Sequence, residues 1–151
     1  MEELTEKFDI NVESDTYKKA ELLIVKAYKV LSEPLQSKMD SLAIAKLREQ
    51  ASTTQQLMTE LLPWKNTVAE LEQSYSAKAS VHYGKMARNK EISPAERDGY
   101  IEASASNIRK LSNQLNDMYA LAMKRMSLAQ TLIKAGDYVS YQDNQANQVN
   151  L

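Results

Sequence analysis

The sequence has no cysteine, one histidine and three glycines among its 151 residues. Without cysteine there are no thiol nucleophiles, disulfides, iron–sulfur clusters or cysteine-ligated zinc sites. One histidine excludes the HExxH zinc proteases and any site that needs two imidazoles. Three scattered glycines do not make a glycine-rich loop, so neither a P-loop nor a dinucleotide fingerprint is present. These absences remove many classes of enzyme.

Long hydrophobic runs are also missing. The longest aliphatic run, residues 22–25, is too short to cross a bilayer, and the first residues are acidic rather than apolar. The length allows one domain with a substantial core. We therefore expect a soluble, cytoplasmic protein with no membrane partner.

The charge is unevenly distributed along the chain. Residues 1–16 carry a net charge of −5 and the rest carries +4, which together give −1. Residues 1–14 show no sustained hydrophobic period, so we predict an acidic flexible arm. Residues 137–151 are rich in amides and are predicted to form a disordered polar tail.

Helix-favouring residues dominate the composition, which predicts an all-α fold. Apolar residues between Ala20 and Leu31 mark a first amphipathic helix, and Pro34 is suited to begin a second. The polar stretch 49–56 is weakly patterned and is predicted to fray or bend. Pro63 either kinks a long helix or starts a new one.

Two long helices are predicted at about residues 57–89 and 94–135, within a single helical domain at 15–136. Ser93, Pro94 and Glu96 form a capping box at the start of the later helix, and Gly136 is suited to end it. A short loop between long helices favours an antiparallel hairpin. The predicted packing and oligomer seam contains Leu61, Trp64, Val68, Leu71, Ile108, Leu111, Leu115 and Met118.

A hairpin of this length exposes more apolar surface than it can cover alone. The N-terminal helices cover part of it, and other copies of the chain cover the rest, so we predict an oligomer. The alternative is a compact monomeric four-helix bundle.

The hairpin tip is the candidate binding site. Residues 76–90 contain four cations and no acid, and aromatic residues lie among them. Clustered cations neutralise phosphates and flat rings stack on bases, as single-stranded DNA binding requires. The predicted nucleic-acid-binding residues are Lys78, His82, Tyr83, Lys85, Arg88 and Lys90. A solvated, basic helix end is the alternative.

A second basic set lies on the last helix, where an ordinary solvated helix surface explains it at least as well. This set contains Arg109, Lys110, Lys124, Arg125 and Lys134. No catalytic constellation accompanies either set. His82 is the only histidine, the acids fall mostly on exposed faces, and no Glu-x-x-His pair is present. We expect no enzyme activity, no metal site and no cofactor.

Three stretches between residues 64 and 141 carry a family resemblance. The first is a Leu- and Glu-rich helix at residues 64–72. The second is Lys78 followed by the run His-Tyr-Gly-Lys-Met at 82–86. The third is residues 125–134, which begin with Arg and end with Ile-Lys. This order resembles the UvsY-type recombination mediators of tailed phages.

The resemblance implies a non-enzymatic protein in the host cytoplasm that forms rings and binds single-stranded DNA. Such a protein helps to load a RecA-like recombinase onto strands covered by single-strand-binding protein. Lys78 matches the family's DNA-contacting basic position, Lys85 follows it, and Tyr83 and Gly84 match its Tyr-Gly turn. Residues 1–56 and the tail depart from the family, which leaves oligomer size and partner contacts open. A structural or adaptor protein, for virion assembly or inhibition of a host factor, is the alternative function.

Overall fold

A computed structural model describes residues 14–36 and 41–149. The described residues form three helices and no strand: α1 at Ser14–Ser32, α2 at Ser41–Arg88 and α3 at Pro94–Val149. The all-α prediction is confirmed. None of the helices in this part of the chain is both long and apolar enough to span a membrane. Except for its last residue, the predicted acidic arm lies outside the described residues.

The helix predicted to begin at Pro34 does not do so. Residues 33–36 are not helical, and the next described helix begins at Ser41. The Gln50 side chain donates to the Pro34 carbonyl at 2.8 Å and accepts from the Gln36 amide at 2.9 Å. These bonds satisfy backbone groups that a helix would otherwise pair, so the segment holds an irregular conformation.

The polar stretch 49–56 does not fray, because it lies well inside α2. The same helix continues through Pro63, which therefore does not start a new one. Hydroxyls of Thr53, Thr54 and Thr59 each donate to the carbonyl four residues earlier, at 2.8–3.0 Å. Such bonds satisfy polar side chains within a helix while weakening its own backbone pairing.

The predicted end of the last helix at Gly136 was wrong, and so was the prediction of a disordered tail. Gly136 is buried within α3, which continues to Val149, and no described glycine has a positive φ. Gln142 donates to the Tyr138 hydroxyl at 3.0 Å, and Gln145 donates to that of Tyr141 at 2.8 Å. Polar pairs four residues apart stabilise a solvated helix, which the apolar pattern alone does not reveal.

The chain divides into two compact units, and each of the three helices contributes residues to both. The first contains Met1–Val25 and Leu62–Asp117, and the second contains Lys26–Leu61 and Met118–Leu151. In the first unit, Ala79, Tyr83 and Ile92 form a buried cluster. In the second, Leu47, Ala51 and Ala129 do so.

The predicted seam is largely buried by one chain alone. Trp64 and Leu71 are half-buried. The remaining six members are buried: Leu61, Val68, Ile108, Leu111, Leu115 and Met118. Because no second copy is needed to cover them, these six residues form core packing rather than an oligomer contact. The burial of these six residues agrees with the predicted packing, and the oligomer stays a prediction.

Candidate nucleic-acid interface

The end of α2 carries an open groove in the first unit. Five side chains line it, at positions three or four residues apart along one helix face, and they enclose about 550 Å³ of open space. They are Ala77, Lys78, Val81, His82 and Lys85. Val81 is 61% exposed, so an apolar surface lies open to solvent between two lysines. This arrangement combines cations with a surface on which a flat, uncharged group can lie.

The aromatic side chains near the groove differ in their accessibility. The Lys78 ammonium lies 5.9 Å from the centre of the Tyr75 ring. His82 is half-buried, and its ring meets the Tyr83 ring edge-on, with centres 5.1 Å apart and planes at 78°. Packing against a buried ring limits the orientations open to the His82 ring.

Tyr83 does not fit the base-stacking role predicted for it. Only 1% of the residue is exposed, and its ring lies 5.4 Å from that of Tyr100, within the buried cluster of the first unit. A ring that already packs against Ala79 and Ile92 has no free face for a base. Tyr83 is therefore a core residue that positions its neighbours, and the direct contact predicted for it is wrong.

The remaining predicted cations lie where α2 ends, and two backbone hydrogen bonds fix the conformation there. Arg88 and Lys90 are exposed. The Lys90 amide donates to the Ala87 carbonyl at 3.1 Å, and the Glu91 amide donates to that of Met86 at 2.9 Å. This pair of bonds is the Schellman motif, which places one residue in the left-handed region. That residue is Lys90, with φ of 57°.

Replacing Lys90 with glycine should therefore raise the free energy of unfolding by about 1 kcal/mol, because glycine adopts a positive φ without the steric cost of a Cβ. Chemical denaturation followed by circular dichroism measures the difference. Asn89→Gly is the matched control and should not stabilise the protein, because only Lys90 has a positive φ among the described non-glycine residues. Equal effects of the two substitutions would contradict this interpretation of the turn.

The predicted start of the last helix is confirmed. Ser93 precedes α3, its hydroxyl accepts from the Glu96 amide at 3.2 Å, and Pro94 is the first helical residue. A serine cap with proline at the first position begins a helix at a defined residue. The loop between α2 and α3 is consequently fixed at both ends by local hydrogen bonds.

Two of the five cations in the second basic set have specific partners. Arg109 pairs with Glu72 at 3.1 Å and lies 3.7 Å from Glu102. Arg125 donates to the Glu33 carbonyl and, at 3.2 Å, to the Thr54 hydroxyl. Burial lowers the pKa of Arg125, whereas the Glu33 carboxylate acts to raise it. These contacts give both arginines a structural role.

Arg125 belongs to a polar network in the second unit that the sequence pattern did not predict. Thr54 is fully buried and donates to the Gln50 carbonyl at 2.8 Å, and the Gln50 side chain binds both Pro34 and Gln36. The network joins the segment after α1 to α2 and α3. The sequence does contain a pattern that places Gln50 and Thr54 in the core. The 3-4-3-4 spacing of core positions is followed by Leu47, Gln50, Thr54, Leu57 and Leu61.

Among residues 14–36 and 41–149, no group of three or more His, Cys, Asp or Glu side chains is arranged to hold a metal ion. The chain matches no family model, no curated protein and no solved structure. The likeness to UvsY-type mediators therefore rests on the sequence motifs alone.

Proposed function

We propose that this chain is a non-catalytic, self-associating helical protein that binds single-stranded DNA through the end of α2. As the resemblance to UvsY-type mediators implies, it assists the loading of a RecA-like recombinase onto strands covered by single-strand-binding protein. The observation that carries the proposal is the groove in which Lys78 and Lys85 flank the exposed Val81.

The chemistry of the groove suits a single strand better than a duplex. An unpaired strand presents phosphates and exposed base faces together, and proteins bind it by combining cations with surfaces on which bases stack. Lys78 and Lys85 supply charge for phosphates, while His82 and Val81 offer a ring and an apolar contact. Arg88 and Lys90 extend the positive charge beyond the groove.

An antiparallel hairpin is the arrangement we propose for α2 and α3 in the first unit. Tyr83 contacts Tyr100, and Glu72, earlier in α2, pairs with Arg109, later in α3. Contacts in opposite order along two helices support an antiparallel pair. Its short loop brings the cations of α2 to one end.

Self-association completes the proposal. Four cations in residues 76–90 make a modest patch in one copy. Repetition of that patch in an oligomer raises the effective concentration of each site for the next segment of the same strand. An oligomer therefore binds a long strand more tightly than the single copy does.

Changing Lys78 and Lys85 together to alanine should reduce affinity for a single-stranded oligonucleotide at least tenfold at low salt. Removing two phosphate contacts per chain should also lower the slope of log affinity against log salt by about 1.4. Gel-shift titrations at several salt concentrations measure both quantities. Lys110→Ala with Lys134→Ala is the matched control, because it removes the same charge from exposed positions outside the groove.

If the wild-type protein does not bind the oligonucleotide at low salt, the proposal is wrong. Equal losses from the two double substitutions would place binding elsewhere than the groove. Oligomers without DNA affinity would favour the structural or adaptor function, which acts only through protein contacts.

A further inference from the structure

A second groove, in the other compact unit, is more apolar than the first. Its walls come from the end of α1, the segment that follows it, and α3, and it encloses about 410 Å³. Leu31, Pro34 and Leu35 line one side, and Leu121 and Leu128 line the other. Leu121 is 47% exposed and Leu128 is 53% exposed, although both belong to this concave surface. Exposed leucines in a groove indicate a surface that is covered by another chain or segment.

The groove is held in shape by the polar network described above. Arg125 donates to the Glu33 carbonyl, and Gln50 binds Pro34 and Gln36, so the irregular wall is fixed to both long helices of that unit. A surface that is already ordered loses little conformational entropy when it binds. It is consequently suited to receive a segment that becomes ordered only on binding.

The charge of the groove restricts what occupies it. Lys124 and Arg125 both line it, and among the described residues Glu33, which interacts with Arg125, is the only acid that does so. The net charge of the lining is therefore positive. An occupant that complements it is apolar on one side and acidic elsewhere.

We propose that residues 1–13 of a second copy of this chain occupy this groove. The segment carries five acids and one lysine. Leu4, Phe8 and Val12 are four residues apart, a pattern too short to count as a sustained hydrophobic period but long enough to form one contact face. In a helical conformation these three side chains share one face, and the acids point away from it. Ile10 falls on the acidic side, so it makes no contact with the groove.

The dimensions agree with this assignment. Leu4 and Val12 are about 12 Å apart along a helix, and Leu121 and Leu128 are about 10 Å apart along α3. Phe8, the only phenylalanine in the chain, then lies near the centre of the groove as the largest apolar anchor.

The occupant comes from another copy because a chain cannot reach its own groove in this way. Ser14 and Leu31 are near opposite ends of α1 and about 26 Å apart along its axis. The two Cα-to-Cα steps from Val12 to Ser14 span at most about 7 Å. Exchange of the segment between copies satisfies the geometry and supplies a contact for self-association. The inference therefore rests on the self-association in the proposed function. It does not depend on DNA binding, because the groove at the end of α2 takes no part in this contact.

Fluorescence anisotropy with a labelled synthetic peptide of residues 1–13 tests the contact directly. The receptor is the 151-residue chain carrying Phe8→Ala, whose own segment competes poorly while its groove is intact. We expect the wild-type peptide and an Ile10→Ala peptide to bind within twofold of each other, and a Phe8→Ala peptide to bind at least tenfold more weakly. Failure of the wild-type peptide to bind, or equal losses from Phe8→Ala and Ile10→Ala, would overturn the proposal.

Substitutions in the receptor locate the contact. Leu128→Glu places an acid in the groove and should weaken peptide binding at least tenfold. Met123→Glu is the matched control, because Met123 is 52% exposed but does not line the groove, and it should change affinity less than twofold. Equal losses from both would show that the peptide binds elsewhere.

Light scattering on a sizing column then tests for the second copy. The wild-type and Ile10→Ala proteins should have a molar mass of more than one chain, and Phe8→Ala should shift the mass towards a single chain. Peptide binding together with a single-chain mass for the wild type would overturn exchange between copies. A protein that exchanges the segment but binds no oligonucleotide would contradict only the DNA-binding proposal.

Discussion

Replacing Tyr83 with alanine should lower the free energy of unfolding by about 3–5 kcal/mol. Tyr83 is among the largest fully buried side chains in the described residues, and its removal leaves a cavity between α2 and the residues around Ile92 and Tyr100. The lost ring contact with Tyr100, at 5.4 Å between centres, adds to the cost of the cavity. Chemical denaturation followed by circular dichroism measures the change.

Two further substitutions separate the structural role of Tyr83 from a direct contact with DNA. Tyr83→Phe keeps the ring, so it should retain most of the stability and all of the oligonucleotide affinity. Tyr138→Ala is a control at an exposed position and should change stability by less than about 1 kcal/mol. A Tyr83→Ala protein with wild-type stability but no DNA affinity would restore the base-stacking role that burial argues against.

Gln50→Ala should lower the free energy of unfolding by about 1–3 kcal/mol. Gln50 is 5% exposed, and its amide binds two backbone groups of the segment after α1. Alanine has the higher helix propensity, so any loss of stability comes from the missing hydrogen bonds rather than from α2 itself. The groove next to that segment should lose its fixed shape as well.

Gln56→Ala is the matched control, because Gln56 lies in the same helix but is exposed. It should be neutral or slightly stabilising in the same denaturation experiment. If both glutamine substitutions had equal effects, the bonds from Gln50 to Pro34 and Gln36 would contribute nothing, and the irregular segment would need another explanation.

Hydrophobic spacing and helix capping predicted much of the fold. The spacing of Leu61, Val68 and Leu115 predicts buried positions, and one chain buries all three. Ser93 and Pro94 predict a helix start to the residue, because a cap is a local hydrogen bond between neighbours. Features that depend on adjacent residues were therefore accessible from the sequence.

Features that depend on distant partners were not. Residues 33–36 are irregular because of Gln50, a residue 14 positions beyond Gln36. Tyr83 and Lys85 belong to the same basic, aromatic stretch of sequence. Tyr83 faces the core because its ring packs against that of Tyr100, whereas Lys85 is exposed. Composition identified the candidate site, but burial decided which of its side chains a ligand reaches.

The proline inside α2 has a consequence for how stability is measured. Pro63 lies beside Leu62, where α2 passes from one compact unit to the other, and it cannot donate the hydrogen bond that its position requires. The backbone hydrogen bonding of the helix therefore lacks one donor at that point, and each unit has its own buried cluster. A melting temperature gives one value for the whole chain and does not distinguish the two units. Hydrogen exchange, resolved along the sequence, reports the stability of each unit separately.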